Sequence, residues 1–506
     1  MAYGGSYNAM AGPSTLPPPP LPSSSSTSTS SVPDIPGDLV QDRDILSFLR
    51  GHVANLTHLT SNKFPGAQPV SFTKASLDLI ESQDFWVCEK SDGQRVLVLI
   101  VLHGATGRQD VFLVDRKNNY YFQQHVFFPT SDQRFYPKGT PQQKEAAYAL
   151  AHQEGIAYKD GWPARKDTLL DGELVWDTDR STGRRKMRLL LFDALVVDGQ
   201  NMAQRPLTKR YGRLHSMVYP PLHQYLQQNP KSAAAMPFEI RIKHMDLAYG
   251  VPEVLQRMPN LEHGNDGLIF TCMNSGYTFG TDEKIIKWKP PRENSVDFVL
   301  RLRFPPDDNV PGGQVPNLRA KPFFLLEEHM GGSAGSSQYE PFDWLWVGDE
   351  AWEEMKRSGV QWDDRVVECV WDLEAGPPLP ADNGEVVPTP GWKIHRIRDD
   401  KHDGNHSTIV QKILSSIMDG VDEEQVVEAV PRIRAAWKSE GREKMRKAIE
   451  TGGMAAAGAS TQRPRTESGT EAGARGAGGA TGPGVGGGSR GRPPVMRVGP
   501  KGVFRI

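Results

Sequence analysis

Three times between residues 85 and 197, an apolar run of strand length is followed by a few turn residues and then by a second run. The sets are FWVCEK, SDG, QRVLVLIVLH; DVFLVDR, KNN, YYFQQHVFF; and TLLDGELVWDTD, RSTGR, RKMRLLLFDALVV. Paired β-rich runs broken by Gly, Asn, Asp or Ser predict antiparallel hairpins. Helices are interspersed: Thr140-Pro141 supplies a cap and first-turn pair for a helix ending near Glu154, and another is expected from Leu207 to Gln228. The chain therefore reads as α+β with antiparallel sheets. After Pro290 the strands shorten and the loops lengthen (VDFVLRLRF, KPFFLLEEH, RVVECVWDL, WKIHRIRDD), the spacing of a small closed barrel. From Ser407 to about Glu450 the pattern is helical, with Ile409, Val410, Ile413, Leu414 and Ile417 on one face. No internal repeat is present.

Composition sets the two ends apart. Residues 1–37 are mostly Pro, Ser and Thr and carry one charge, Asp34. They cannot bury enough apolar surface to offset the entropy of ordering, so disorder is expected. Within them Leu16-Pro17-Pro18-Pro19-Pro20-Leu21-Pro22 favours polyproline II. Residues 451–506 read as a disordered Arg-Gly tail, with GARGAGG and GGGSRGRPP. From residue 452 onward that tail has eight basic and two acidic groups, so a chain of net charge −2 carries −7 between residues 38 and 451. Overall basicity does not draw a partner to the middle. Its length suits two or three domains, expected at 38–291, 292–406 (the barrel) and 407–450 (helical).

The longest apolar run, Val96 to Leu102, has seven residues, where a membrane span needs about 18 or more. The start, MAYGGSYNAM, has neither the basic nor the apolar region of a secretory signal. A soluble intracellular protein with no membrane contact is expected. Cys88, Cys272 and Cys369 are far apart with no C-x-x-C pair, which excludes a disulfide framework and marks them as small core residues.

Lys90-Ser91-Asp92-Gly93 follows the first apolar strand. A lysine there can act as a nucleophile only as the free amine, about one molecule in a few thousand at pH 7 for an ordinary side chain. Activation needs a partly desolvated site with other cations nearby. Alone, K-x-D-G predicts only a turn. An ordered series downstream changes that reading: Asp171-Gly172-Glu173; Arg188 to Asp193, including Phe192; Asn265-Asp266-Gly267; Lys287-Trp288-Lys289-Pro290, whose lysines share one strand face; and Arg396 to Lys401. Together these offer a nucleophile, carboxylates for ribose or a metal, an aromatic ring for a base, and several cations for phosphates.

The order KSDGQR, LLDGELV, RLLLFDALVVDG, HGNDGLIF, IIKWKP, NSVDFVL, WKIHRIRDDKHDGNH resembles the motif series of eukaryotic messenger-RNA capping guanylyltransferases, and closely resembles the separate capping subunit of fungi. These belong to the covalent nucleotidyltransferase superfamily, which also contains the DNA and RNA ligases. The resemblance runs from about Phe64 to Ile417. It implies a nucleotidyltransferase domain followed by an OB-fold barrel.

It implies, too, that Lys90 attacks the α-phosphate of GTP, expels pyrophosphate and holds GMP until the 5′-diphosphate end of nascent RNA takes it. Arg95 and Glu173 would hold the ribose and Phe192 would stack on guanine. Lys287 and Lys289 would contact the α-phosphate region and depress the pKa of the nucleophile. Asp266 and Asp297 would lie near the phosphates and a divalent cation, Mg2+ or Mn2+. Arg398, Asp400 and Lys401 would engage the departing pyrophosphate. The implied partners are a separate RNA 5′-triphosphatase subunit and the phosphorylated C-terminal tail of RNA polymerase II, in the nucleus. No His-Cys phosphatase motif surrounds the only cysteine before Lys90, Cys88, so triphosphatase activity is expected from another protein. Competing readings are an ATP-dependent polynucleotide ligase and an inactive scaffold binding the polymerase tail. Trp288 reads as core packing, Cys88 as packing, and His402 and His406 as parts of a loop around Gly404-Asn405.

Overall fold

The computed structural model describes residues 32–450, apart from 105, 308–314, 333–335 and 381–384, together with the short strands Arg497–Val498 and Phe504–Arg505. Most of both expected tails lies outside the described residues. The stretch 32–37 does not: Pro33 is buried, Ile35 packs on the main core, and Gln123 Nε2 donates to Pro36 O at 2.6 Å. The ordered chain thus begins earlier than its Pro/Ser composition predicts, because it leads directly into Asp38–Leu39, which pairs with Tyr120–Phe122.

Two sheets build the larger body. The first runs Asp38–Leu39, Tyr120–Phe122, Gln109–Val114, Gln94–Leu102, Thr168–Thr178, Arg185–Val197, Gln200–Asn201, with Glu239–Ile242 added parallel to Arg185–Val197. The second runs Asp246–Leu247, Phe85–Ser91, Asn265–Cys272, Gly280–Trp288, Ala67–Ser71, the last pair parallel. Apart from these two parallel pairings every ladder is antiparallel among the described residues.

Two of the three hairpins form as read: Gln109–Val114 pairs with Tyr120–Phe122, and Thr168–Thr178 with Arg185–Val197. The SDG pair does not. Phe85–Ser91 lies in the second sheet and Gln94–Leu102 in the first. Each run finds neighbours on both sides elsewhere, and Gln94–Leu102 is buried from Val96 to Val101 between Gln109–Val114 and Thr168–Thr178. Short turn residues serve a corner between sheets as well as a hairpin. At that corner a Cβ on Gly93 would lie 2.4 Å from Leu174 O, so only glycine lets the chain pass so close.

The helix Pro141–Gln153 starts with a capping box between Thr140 and Gln143. The stretch Leu207–Gln228 is helical throughout but widens to a π turn at Leu214–Val218. Pro220 and Pro221 follow one residue later; they lack the N–H groups that would continue the α ladder.

A third, five-stranded sheet forms the barrel, in the order Gln338–Leu345, Phe323–Gly331, Ser295–Arg303, Arg365–Asp372, Gly391–Ile397. It curls until its edge strands touch, Trp392 Nε1 lying 3.2 Å from Asp343 Oδ2 around a core that includes Phe298, Leu326, Val367 and Cys369. Four of its strands are legible in the sequence. The fifth, QYEPFDWL, is interrupted by charge and by Pro341, which sits beside a register shift on an edge strand where its missing N–H does no harm.

The C-terminal helices divide between the two bodies. Ser407–Met418 lays Val410 and Leu414, with Ile413 and Ile417, on the barrel core. Ile409 is 45% exposed and does not share that face. Val421, Val426, Val430 and Ile433 then return to the core of the second sheet beside Phe72 and Trp288. Trp288, buried as expected, donates its indole N–H to Val421 O at 2.8 Å. Arg442 and Arg446 clamp the buried Asp84 at 2.5 and 3.3 Å. The barrel is thus joined to the larger body by two crossings, 289–294 and 419–420, which lie side by side: a Cβ on Gly420 would meet Pro291 Cγ at 2.4 Å. All three cysteines are buried and free, and no helix among the described residues is long and apolar enough to cross a membrane.

Candidate active site

Lys90 stands next to the end of Phe85–Ser91, where the chain leaves one sheet for the other. Across its ladder Ser91 pairs with Asn265 and Glu89 with Leu268, so one extra residue is accommodated opposite Lys90. Such a bulge re-aims side chains. Here it turns Asp266 onto Lys90, with Nζ 2.5 Å from Oδ1, while Lys289 Nζ lies 3.3 Å from Oδ2. Gly267 makes the bulge possible, since its φ is +149° and a Cβ there would fall 2.1 Å from Trp288 O. The glycine of HGNDGLIF is therefore required by the backbone.

A second bulge serves the aromatic ring. Leu191 pairs with Gly172 and Asp193 with Asp171, leaving Phe192 as the extra residue, half-buried on the wall of a cavity of about 400 Å³ between the two sheets. That volume suits a nucleotide-sized ligand. Lys90, Arg95, Glu173, Phe192 and Lys287 all line it. Cys88 does as well, because i and i+2 on a strand share a face; burial pushes its thiol up to about 12, which leaves it inert packing.

The predicted residues differ in how free they are. No side chain pairs with Glu173 among the described residues, so its oxygens can accept from a sugar hydroxyl. Burial holds its carboxyl above the ordinary range against the charges of Lys243, Lys90 and Arg95. Lys287, likewise without an ion pair among the described residues, is held below the usual lysine value by partial desolvation and then by the charge of Lys90. Arg95 is largely occupied: its Nε and Nη2 grip the fully buried Asp171 at 3.0 and 2.6 Å, Nη1 donates to Ala67 O, and Nη2 also lies 3.1 Å from the Tyr277 hydroxyl. Its guanidinium carbon is 5.7 Å from the Phe192 ring centroid. Arg95 thus shapes the wall and backs Phe192, with little donor capacity left for ribose.

Asp297, Arg398, Asp400 and Lys401 sit apart on the barrel, and none of them lines the cavity. Asp297 is buried between Lys401 and Arg398, whose Nη1 is 3.1 Å away. Arg398 also makes two 2.8 Å bonds to Asp400, and these hold the Asp400 carboxyl below its ordinary range. His402 and His406 lie in the loop that follows, His406 capping Ser407–Met418.

The two carboxylates expected near a metal therefore belong to separate clusters. Among the described residues no three His, Cys, Asp or Glu side chains group to hold an ion. Asp297 and Asp266 are each paired with two cations, but Asp297 lies away from the cavity. Asp266 fits a different case, an ion already carried by phosphates and needing a single protein carboxylate.

Among the wall residues that sequence reasoning does not single out are Arg116 and Lys243. Each ends or interrupts an ordinary apolar strand, and such residues are too common to single out. Lys243 is buried, donating to Ser91 Oγ at 2.6 Å.

A lysine at a corner between sheets, faced by cations and followed by a jointed barrel, is the architecture of a nucleotidyltransferase. The family model described as mRNA capping enzyme, catalytic domain, matches residues 31–291, and that of the mRNA capping enzyme C-terminal domain matches residues 293–427. The chain is 35% identical over 434 residues to the mRNA-capping enzyme subunit alpha of Candida glabrata, covering 80% of this chain and 89% of that one. It is 35% identical over 413 residues to that of Neurospora crassa (78% and 91%), and 34% over 434 to that of Saccharomyces cerevisiae (80% and 87%). This chain belongs to the mRNA capping enzyme family. Among solved structures, the ATP-dependent DNA ligase of bacteriophage T7 overlaps loosely, with 14% identity, a TM-score of 0.27, and coverage of 66% of this chain and 98% of its own.

Proposed function

We propose that this chain is a GTP–RNA guanylyltransferase working in the nucleus, which moves GMP from GTP through Lys90 to the 5′-diphosphate end of nascent RNA. The observation that carries the proposal is the presence of Lys90 and Lys287 on the wall of a cavity that also presents Phe192 and a free Glu173, with Asp266 and Lys289 joined to Lys90 at its edge.

In the first step the free amine of Lys90 attacks the α-phosphorus in line. The N–P bond forms, the bond to the bridging β-oxygen breaks, and pyrophosphate leaves with its electron pair. Asp266, in contact with Nζ, holds Lys90 in place, and the proton that Lys90 must lose leaves to solvent. Lys287 and Lys289 offset charge on the α-phosphate region. In the second step a β-phosphate oxygen of the RNA end attacks the same phosphorus, the N–P bond breaks, and the lysine nitrogen regains a proton. Glu173 accepts from the ribose and Phe192 stacks on the base. Lys243 adds a buried donor, which matches the O6 and N7 acceptors of guanine and opposes the amino group of adenine.

A divalent cation, magnesium or manganese, would neutralise the triphosphate, with Asp266 as its one protein ligand. Arg398 and Lys401, remote from the cavity, meet the pyrophosphate only if the barrel swings in. Asp400 acts by aiming Arg398. The barrel is read as an OB fold. A separate RNA 5′-triphosphatase subunit supplies the diphosphate end, and the phosphorylated tail of RNA polymerase II recruits the enzyme.

Labelling with α-phosphate-labelled GTP, and separately ATP, followed by denaturing electrophoresis tests this reading. A GTP-derived label that Lys90→Ala abolishes is expected. Label from ATP alone would make the chain a ligase, and none from either a scaffold.

A further inference from the structure

Behind the cavity runs a line of buried charges that the transfer steps do not use. Lys243 follows Glu239–Ile242 and is fixed through its backbone: its N–H donates to Leu191 O at 2.8 Å, beside Phe192, and its carbonyl accepts from the Tyr211 hydroxyl at 2.7 Å. Its ammonium lies 2.6 Å from Ser91 Oγ and 3.3 Å from Glu89 Oε1. Glu89 precedes Lys90 and points to the opposite face of the strand. Its Oε1 is 3.5 Å from His263 Nε2, and His263 Nδ1 is 3.0 Å from Asp177 Oδ1. Asp177 touches Arg188, which reaches Glu239 Oε2 at 3.4 Å.

The order from the cavity outward is therefore Lys243, Glu89, His263, Asp177, Arg188, Glu239. Every member but Arg188 and Glu239 is buried. With His263 protonated the signs alternate. A buried ammonium with only a hydroxyl beside it would shed its proton, because desolvation disfavours the charged form. A buried carboxylate has the same difficulty in reverse. Each charge here is stabilised by the next.

We infer that Glu89 and His263 are positioning residues: they keep Lys243 charged and aimed at the nucleotide base, so that selectivity for guanine depends on side chains that never touch it. This rests on the guanylyltransferase reading above. Titration tendencies agree with the geometry. Burial would lower Lys243, yet the Glu89 carboxylate above all holds it above the ordinary lysine value. Burial would raise Glu89, which Lys243 and then the neighbouring His263 bring down to about 2. His263, which burial would lower, is raised by its hydrogen bond to Asp177 and by the Glu89 carboxylate 3.5 Å away.

The test measures initial rates of enzyme–GMP formation against GTP concentration, and the same with ATP, for the full chain and for Glu89→Gln and His263→Gln. For Glu89→Gln the KM for GTP is expected to rise roughly tenfold, with the maximal rate within about threefold and the preference for GTP over ATP reduced by a similar tenfold. His263→Gln should follow the same pattern more weakly. A residue with a merely structural role would lower thermal stability or the maximal rate and leave the GTP-to-ATP ratio alone; that result in both variants overturns the inference. If Glu89→Gln fails to fold, His263→Gln decides. A wild-type chain that forms no adduct would overturn the guanylyltransferase reading instead, whereas labelled wild type with an unmoved ratio in the variants overturns only the positioning role.

Discussion

The two cation clusters of this molecule are built on opposite plans. In the cavity, Lys287 has no acidic partner among the described residues, and Lys90 shares one carboxylate with Lys289. On the barrel, Arg398 and Lys401 are already balanced by Asp297 and Asp400. Lys90 and Lys287 stand on strands of one sheet with Asn265–Cys272 between them, and the unpaired Lys287 needs no rearrangement to meet a phosphate. Barrel cations are neutralised in place and remote, so a phosphate must displace a carboxylate and the barrel must move before they act. On the mechanism proposed above, the difference separates residues that serve both transfer steps from residues that serve one.

The most severe way to break this comparison is Lys90→Ala, expected to reduce enzyme–GMP formation by at least ~10³-fold, measured as label retained on denaturing gels. Residual label would mean that another nucleophile substitutes. Next, Lys401→Ala should slow adduct formation by roughly 10²-fold yet slow GMP transfer from preformed adduct by less than about threefold, followed in single-turnover assays of each step. Equal losses in both steps would erase the distinction between clusters. Gly267→Ala sharpens the cavity half. Its Cβ would fall against Trp288 O, so a loss of about 2–3 kcal/mol by chemical denaturation is expected, together with a displaced Asp266 and slower adduct formation. The smallest effect is expected from deleting 452–506, which should leave adduct formation within about twofold; the +6 tail then contributes, if anywhere, through weak RNA contact.

Much of the cavity is readable in the sequence because its chemistry depends on residue type at strand ends. KSDG, LLDGE, NDG and KWKP name their own positions once strands are recognised, and two-residue alternation puts Lys287 outward and Trp288 inward. What cannot be read is whatever depends on partners far along the chain. The SDG corner looks like a hairpin because turn residues record local backbone freedom and not sheet membership. The pairing of Arg95 with Asp171 and Tyr277, 76 and 182 residues away, cannot be read from KSDGQR. The bulges that aim Phe192 and Asp266 arise from mismatched register between strands, which no single strand records. The helical end reads as one segment, yet its first helix belongs to the barrel and the rest to the larger body, because amphipathic spacing shows that a face is buried and not against what.

The side-by-side crossings at Pro291 and Gly420 have a mechanical consequence. A domain held by one strand of chain is a ball on a string, able to tumble and twist. Held at two neighbouring points it is a gate on two pins, and the line through the pins is its only easy axis. Rotation about that line is cheap; translation and roll must tear Val421 and Trp288 from the core of the larger body. Any closure of the barrel on the cavity, as the proposed mechanism requires, would follow one arc and bring Arg398 and Lys401 in with the same face leading.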